Sequence, residues 1–346
     1  MAGSSSFAKP LRQKPVRLAL SCALALLVAV GFYELWTWPQ RPGSNLATVV
    51  EVPSGASLAA VVAVLEEQGL VDHPRLFRVY AQASGYERRL RAGIYEVAGN
   101  LSPKALLQLL ASGKVQQHPI RIPEGATLAQ LLPRLKDQSV LTHEVKDAAD
   151  LYRQLNLALP FLEGVFFPET YYVARGASDL SVLQRAHDVM VTKLMTAWER
   201  RDPTLQLQSP AEALVLASII EKESDALSDR RQISQVFHLR LQKNMRLQTD
   251  PTVIYALGQA FDGDLRRRDL RVDSPFNTYR YPGLPPAPIA LPSAASIEAA
   301  LHPAPGDYLY FVARGDGTSQ FSRTLAEHNA AVRRYQLSGK RQSTGP

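Results

Sequence analysis

Residues 217–223 read Ala-Ser-Ile-Ile-Glu-Lys-Glu and set a carboxylate, Glu221, inside an otherwise apolar run. The run starts at Ser209, Pro210 and Glu212, which is an N-cap hydroxyl, a proline at the first helical position and a glutamate at the third. That spacing predicts a capping box and a helix from Pro210 to Ser224. On such a helix Leu214, Ala217 and Glu221 fall at i, i+3 and i+7 and share one face. Burial disfavours a charged carboxylate, so Glu221 is expected to hold its proton towards neutral pH. A protonated carboxylic acid is what glycosidic bond cleavage needs as general acid. The competing reading places Glu221 at the edge of the stripe, paired with a nearby Lys or Arg. Glu223 lies two positions on, points well away from Glu221, and reads as structural.

Other polar residues gather downstream. Asp250 precedes Pro251 and reads as a turn aspartate bonding its own backbone, with a role at a cleft as the alternative. Gln248, Asn277 and Tyr279 are candidates for holding acetamido groups or sugar hydroxyls, because amides and phenols form directional hydrogen bonds without a counter-charge. Glu169 reads as a cap or ion-pair residue, and His302, before Pro303, as structural. The histidines are scattered without a His-Glu-x-x-His pattern, and the single cysteine, Cys22, lies in the apolar N-terminal segment. A metal site, a catalytic thiol and an intrachain disulfide are therefore not expected.

The elements that must position these residues are legible in part. Strands are expected at Thr48–Val52, Gly93–Val97 and Tyr308–Ala313, continuing at Phe321 after a Gly-containing turn. Helices are expected near Leu58–Gln68, Pro74–Ala83, Ser102–Ala111, Asp179–Arg200 and Ser296–Leu301. Ser228 reads as the cap of a further helix with Ile233, Val236, Phe237 and Leu241 on one face, and a last helix runs from about Thr324 to Tyr335. Val52-Pro53-Ser54-Gly55-Ala56-Ser57-Leu58-Ala59 resembles Ile122-Pro123-Glu124-Gly125-Ala126-Thr127-Leu128-Ala129. Each is a strand, a Gly turn, a hydroxyl N-cap (Ser57, Thr127) and a helix, either a small carbohydrate-binding unit or a plain strand-to-helix connection used twice. The aromatic run Phe166–Val173 is expected in a core rather than stacked on sugars. Gln248–Pro292 is rich in Pro and Tyr and reads as loops too long to be filler.

The chain has 346 residues, 46% hydrophobic and 21% charged, enough for two or three domains and not of disordered composition. The net charge of +7 and pI near 9.5 suit an anionic polymer or lipid surface. The basic residues form no stripe interleaved with aromatics, so nucleic acid is ranked low as a partner. Leu18–Phe32 is almost wholly apolar, preceded by Lys9, Arg12, Lys14 and Arg17 and followed by Tyr33, Trp36 and Trp38. This pattern predicts a membrane segment over 18–38 with the N-terminus in the cytoplasm and the rest outside. A cleaved signal peptide ending at Ala29-Val30-Gly31 is the competing reading. Pro39–Ser44 reads as a linker.

Ala217–Glu223, Arg246–Tyr255, Asn277-Thr278-Tyr279, Gly283-Leu284-Pro285-Pro286 with Pro288-Ile289, and His302-Pro303 together resemble the endolytic murein transglycosylases of the MltG (YceG-like) type. The resemblance runs in order over roughly residues 45 to 336. It implies an α+β protein with a single N-terminal transmembrane helix, a small LysM-like α/β subdomain and a larger α+β catalytic domain. The corresponding organisation is a cytoplasmic tail at 1–17, a transmembrane helix at 18–38, a LysM-like subdomain at 45–117, a catalytic region at 118–338 and a disordered tail at 339–346. The implied enzyme sits in the cell inner membrane, single-pass with its catalytic region periplasmic. It cuts nascent peptidoglycan strands internally and so ends their elongation. The family's catalytic glutamate maps onto Glu221; Ile220 and Ser224 stand where related chains often carry Val and Thr.

The implied reaction needs no cofactor. The acid protonates the oxygen between N-acetylmuramic acid and N-acetylglucosamine, then as carboxylate takes the proton of the attacking muramyl 6-hydroxyl, leaving a 1,6-anhydro end. A tethered nucleophile carries the proximity advantage and needs no second carboxylate. Peptidoglycan synthases are implied as partners by the family role and by no residue of the sequence. Two rival readings stay open: a muramidase that uses water with Asp250 as second carboxylate, and a peptidoglycan-binding scaffold without catalysis.

Overall fold

The computed structural model describes residues 14–53, 55–157, 159–223 and 226–337. The expected disordered tail at 339–346 and most of the expected cytoplasmic tail at 1–17 lie outside them, as does Ser224. The described chain divides into two units, with the boundary between Gln116 and Gln117.

The first unit opens with helix α1, Lys14–Thr37. The expected membrane span coincides with it, yet among the described residues no helix is long and apolar enough to cross a membrane. The uncharged stretch runs from Leu18 to Tyr33, and Glu34 interrupts it before Trp36 and Trp38. Strands β1 (Thr48–Val52) and β2 (Gly93–Val97) pair antiparallel, with Val50 opposite Tyr95. Between them lie α2 (Leu58–Glu67) and α3 (Pro74–Ala83), and α4 (Pro103–Ser112) follows. Ser57 and Ser102 cap α2 and α4 through their hydroxyls. Gly69 and Gly113, both at positive φ, end those helices where a side chain would be strained. Val50, Val61, Leu65, Phe77, Tyr95 and Leu107 form the core of this unit. The Tyr95 hydroxyl donates to the Arg91 and Leu110 carbonyls, which lets a phenol sit fully buried.

The second unit contains β3 (Gln117–Arg121), α5 (Leu128–Lys136), β4 (Leu141–Thr142), α6 (Ala148–Leu155), β5 (Thr170–Ala174) and β6 (Ala177–Ser178). Long helices α7 (Asp179–Glu199), α8 (Pro210–Glu223) and α9 (Leu227–Gln242) follow. The chain then forms α10 (Asp250–Leu257), α11 (Ala294–Leu301), hairpin strands β7 (Tyr310–Ala313) and β8 (Ser319–Ser322), and α12 (Leu325–Val332), which runs into a π turn at Arg333–Leu337. β3 pairs antiparallel with β5, β4 parallel with β6, and β7 antiparallel with β8. Helices and short strand pairs thus build an α+β fold, as expected. The second copy of the Gly-turn unit is realised as β3, Gly125 at positive φ, and a Thr127–Gln130 capping box on α5. Phe166, Phe167 and Tyr171 are buried, as expected of the aromatic run, while Tyr172 is exposed.

Helix α8 is the axis of this unit. Every residue from Ala213 to Glu221 is buried, so the helix is enclosed on all sides and has no single apolar stripe. Its start differs from a capping box in one detail: the Ser209 hydroxyl accepts from Glu212 N–H, but the Glu212 carboxylate accepts from Gln208 N–H, one residue early. Ser228 does not cap α9. The helix starts at Leu227, and the Ser228 hydroxyl instead donates to Asp229. The expected loop region 248–292 contains helix α10, so Asp250 opens a helix rather than a turn, with Pro251 in the first turn, where its missing N–H costs no bond.

Candidate active site

The two glutamates of the Glu-Lys-Glu end of α8 meet opposite surroundings, because positions i and i+2 on a helix point about 200° apart. Glu221 faces inward. Arg230 of α9 reaches it with both terminal nitrogens, at 3.1 and 3.2 Å. Ser293, the N-cap of α11, donates to it from its backbone N–H at 2.9 Å and its hydroxyl at 2.5 Å. Arg230 also donates to the Ser293 and Ser296 hydroxyls, and the ion-paired side chains of Arg230 and Glu221 are 7% and 5% exposed. Glu221 is therefore an acceptor of four bonds that ties α8, α9 and α11 together. Glu221 is buried, as expected, but it is not a lone acid: it is paired with an Arg, as the competing reading had it. Arg230 lies nine residues on, in the next helix, and only the tertiary fold brings it to Glu221.

Glu223 sits in the last turn of α8 and faces a groove of about 480 Å³. The groove is lined by Glu223 with Arg240 of α9, Gln248 and Asp250 at the start of α10, Tyr279, Tyr310 and Phe311 of β7, and Leu325 and His328 of α12. Burial and then the nearby Asp250 carboxylate push the Glu223 carboxyl up to about 7, against the opposing pull of a Thr249 hydrogen bond and the Arg240 charge. Its place at a helix C-terminus works in the same direction, since the partial negative charge there disfavours an anion. The reading of Glu223 as merely structural is corrected: it lines the groove, and its carboxyl is raised to about 7.

Three loop residues hold this arrangement, and they are the Asn-Thr-Tyr motif. Asn277 is fully buried and donates from its amide to the Leu270 and Val272 carbonyls, while its oxygen accepts from Tyr279 N–H. It is a loop brace, and the expectation that it binds substrate is corrected. Thr278 accepts from the Thr249 N–H at 3.1 Å and meets the Thr252 hydroxyl at 2.8 Å, fixing Thr249, whose own hydroxyl donates to Glu223. Tyr279 donates from its hydroxyl to Asp250 at 2.5 Å. Gln248, exposed and at positive φ, and Asp250 and Tyr279 line the groove; Glu221 and Asn277 do not.

Sequence reasoning missed Arg240 and Thr249. Arg240 donates to the Leu309, Arg246 and Leu247 carbonyls and lies over the Tyr310 ring, and its burial holds its pKa below the usual arginine range. It stands on a helix face the hydrophobic pattern marks as buried, and a charge at such a position was the available signal. Glu163 is a further buried carboxyl, raised by burial, that accepts from the Leu128 N–H at the start of α5 and from the Tyr255 hydroxyl.

The YceG-like family model matches residues 50–334. An endolytic murein transglycosylase of Bacillus subtilis is 33% identical over 86% of this chain and 87% of its own length. One of Streptococcus pneumoniae is 28% identical over 89% of this chain and 63% of its own. The crystal structure of a YceG-like protein from Listeria monocytogenes superposes with a TM-score of 0.52 at 32% identity, covering 82% of this chain and 98% of that one. A family match over most of the sequence, supported by a curated relative and a shared fold, makes this chain a member of the YceG-like family.

Proposed function

We infer that this chain is a peptidoglycan lytic transglycosylase, an endolytic enzyme that cuts glycan strands within their length. Membership of the family and the relatives' activity support the reaction class. The observation that carries the site assignment is the Glu223 carboxyl, on a groove and raised to about 7. Glu223, rather than Glu221, is the general acid of this proposal. A carboxyl of that pKa is half protonated near neutral pH and can both give and regain a proton.

Glu223 protonates the oxygen joining N-acetylmuramic acid to N-acetylglucosamine, and the bond from that oxygen to the muramyl anomeric carbon breaks with its electron pair on the oxygen. The muramyl 6-hydroxyl oxygen bonds to the anomeric carbon, and its proton passes to the Glu223 carboxylate. No water is consumed, and the product is a 1,6-anhydro end. The Thr249 hydroxyl orients the carboxylate and favours its charged form during the second transfer. Exposed Gln248 is suited to holding a sugar acetamido or hydroxyl group at the groove's edge.

The basic and aromatic flanks of 18–38 support an anchor in the cell inner membrane, with the groove on the periplasmic side where nascent strands emerge. The strand, Gly turn and capped helix of 45–117 support a LysM-like glycan-holding part, and peptidoglycan synthases are the proposed partners. Mass spectrometry of products from uncrosslinked glycan strands tests the reaction. Anhydromuramyl ends support it, reducing ends favour a muramidase with Asp250 as second carboxylate, and intact strands favour a scaffold. Cleavage lost in Glu223→Gln and kept in Glu221→Gln supports the residue assignment; the reverse refutes it.

A further inference from the structure

The groove holds two carboxyl groups of different character. Glu223 is partly buried at the end of α8 and engaged by Thr249; Asp250 is exposed at the start of α10 and fixed by the Tyr279 hydroxyl at 2.5 Å. Among the described residues that line the groove these are the acidic ones. Tyr279 is itself fixed from behind, its N–H bonded to the Asn277 amide oxygen. A loop braced on buried Asn277 therefore serves to aim one phenol at one exposed carboxylate. Turn stability does not require that bond, because the brace is complete without the Tyr279 side chain.

Breaking a glycosidic bond from the acid side develops positive charge at the anomeric carbon and ring oxygen. A fixed anion aimed at that position lowers the barrier, and a hydrogen-bonded one costs little to reorganise during reaction. Arg240 cannot serve: it is a cation, and it commits Nε and Nη1 to backbone carbonyls. We propose that the Asp250 carboxylate, oriented by Tyr279, is the counter-charge of the cleavage reaction, facing the sugar cation that forms while Glu223 delivers its proton. Asp250 forms no bond to the sugar and takes no proton. The proposal rests on Glu223 as acid and adds the group that makes the sugar a better electrophile.

A second consequence concerns pH. The titratable and charged groups that line the groove with Glu223 are Arg240 from α9, Asp250 from α10, Tyr279 from its loop, Tyr310 from β7 and His328 from α12. Of these, Asp250 raises the Glu223 carboxyl and Arg240 lowers it. Neutralising Asp250 therefore moves the alkaline limb of activity, set by loss of the Glu223 proton, to lower pH.

The test measures kcat and KM on uncrosslinked glycan strands for wild type, Asp250→Asn, Tyr279→Phe and Glu223→Gln, across about pH 5–9. Asp250→Asn is expected to lower kcat by about tenfold or more, keep KM within about twofold, and shift the alkaline limb down. Tyr279→Phe is expected to lower kcat several-fold with KM and the limb held, because the Asp250 charge remains. A merely capping role for Asp250 would alter melting temperature and leave kcat and the limb in place, and that result overturns the proposal, as does a loss that appears only in KM. If Asp250→Asn fails to fold by circular dichroism, Tyr279→Phe decides: unchanged kcat overturns the proposal and a several-fold loss supports it. Glu223→Gln separates the two layers. An active Glu223→Gln overturns the acid and the counter-charge together, while an inactive one beside an unimpaired Asp250→Asn overturns the counter-charge alone.

Discussion

Glu221 and Glu223 are two residues apart, and exchanging each for glutamine is expected to give opposite phenotypes. Glu221 is half of a buried ion pair whose side chains are 5% and 7% exposed. Removing one partner of such a pair strands the other charge, at a cost of about 3–5 kcal/mol. Glu221→Ala incurs that full cost. Glu221→Gln sits at the lower end, about 3 kcal/mol, because the glutamine oxygen can still accept from Ser293 while its amide nitrogen faces Arg230 Nη2 donor to donor. In a unit of this size each kcal/mol moves the melting temperature by about 2–4 °C, so Glu221→Gln should melt roughly 6–12 °C below wild type. The folded fraction, assayed well below that transition, should keep cleaving glycan strands within about threefold of wild type, a rate change of under about 1 kcal/mol. Replacing the pair together, Glu221→Leu with Arg230→Met, should restore much of the lost stability, since no lone charge remains. Differential scanning fluorimetry and product counting by mass spectrometry read the two effects separately. A Glu221→Gln protein that melts with wild type and cleaves nothing would falsify the assignment and return the acid to position 221.

Glu223→Gln should be inactive yet more stable at high pH. A carboxyl whose folded pKa is raised to about 7 from 4.5 contributes stability that is complete below the unfolded value and lost as pH rises through the folded one. The glutamine variant lacks that loss, so its unfolding free energy should exceed that of wild type at about pH 8, by on the order of 3 kcal/mol, and match it at about pH 4. Wild-type kcat should be level between about pH 5 and 6 and fall about tenfold per pH unit above about 7, as the general acid loses its proton; a profile level to about pH 9 would exclude a carboxyl of this kind. Asn277→Ala should cost about 2–3 kcal/mol, because two buried carbonyls lose their donor. In the fraction that stays folded its effect should be on kcat, through displaced Tyr279 and Thr249, with KM held; a rise in KM alone would mark Asn277 as a substrate contact after all.

Much of the scaffold was legible because it depends on local physics. Ser57, Ser102 and Thr127 lie before apolar-periodic segments, and each caps its helix through its own hydroxyl. Gly69 and Gly113 end helices at positive φ, a conformation that glycine adopts without strain. The strands at Thr48–Val52 and Gly93–Val97 carry the alternation of a one-sided sheet, and they pair with each other. Helix α10 was hidden because Pro251 and the surrounding Pro-rich composition resemble a loop, although proline is tolerated in a helix's first turn.

The order of the motifs and the presence of a glutamate at the end of α8 were set by the sequence itself, as was the divergence of Glu221 from Glu223 along a helix. Which of the two faces the groove was decided by tertiary structure. Periodicity reports that a residue is buried, and α8 is buried all round from Ala213 to Glu221, so the pattern has no direction to give. Arg230 and Ser293 convert one carboxylate into a structural tie, and burial, with Asp250 beside it, lifts the proton affinity of the other. These partners lie up to 72 positions away in the chain, and electrostatic energy depends on distance in space rather than separation in sequence.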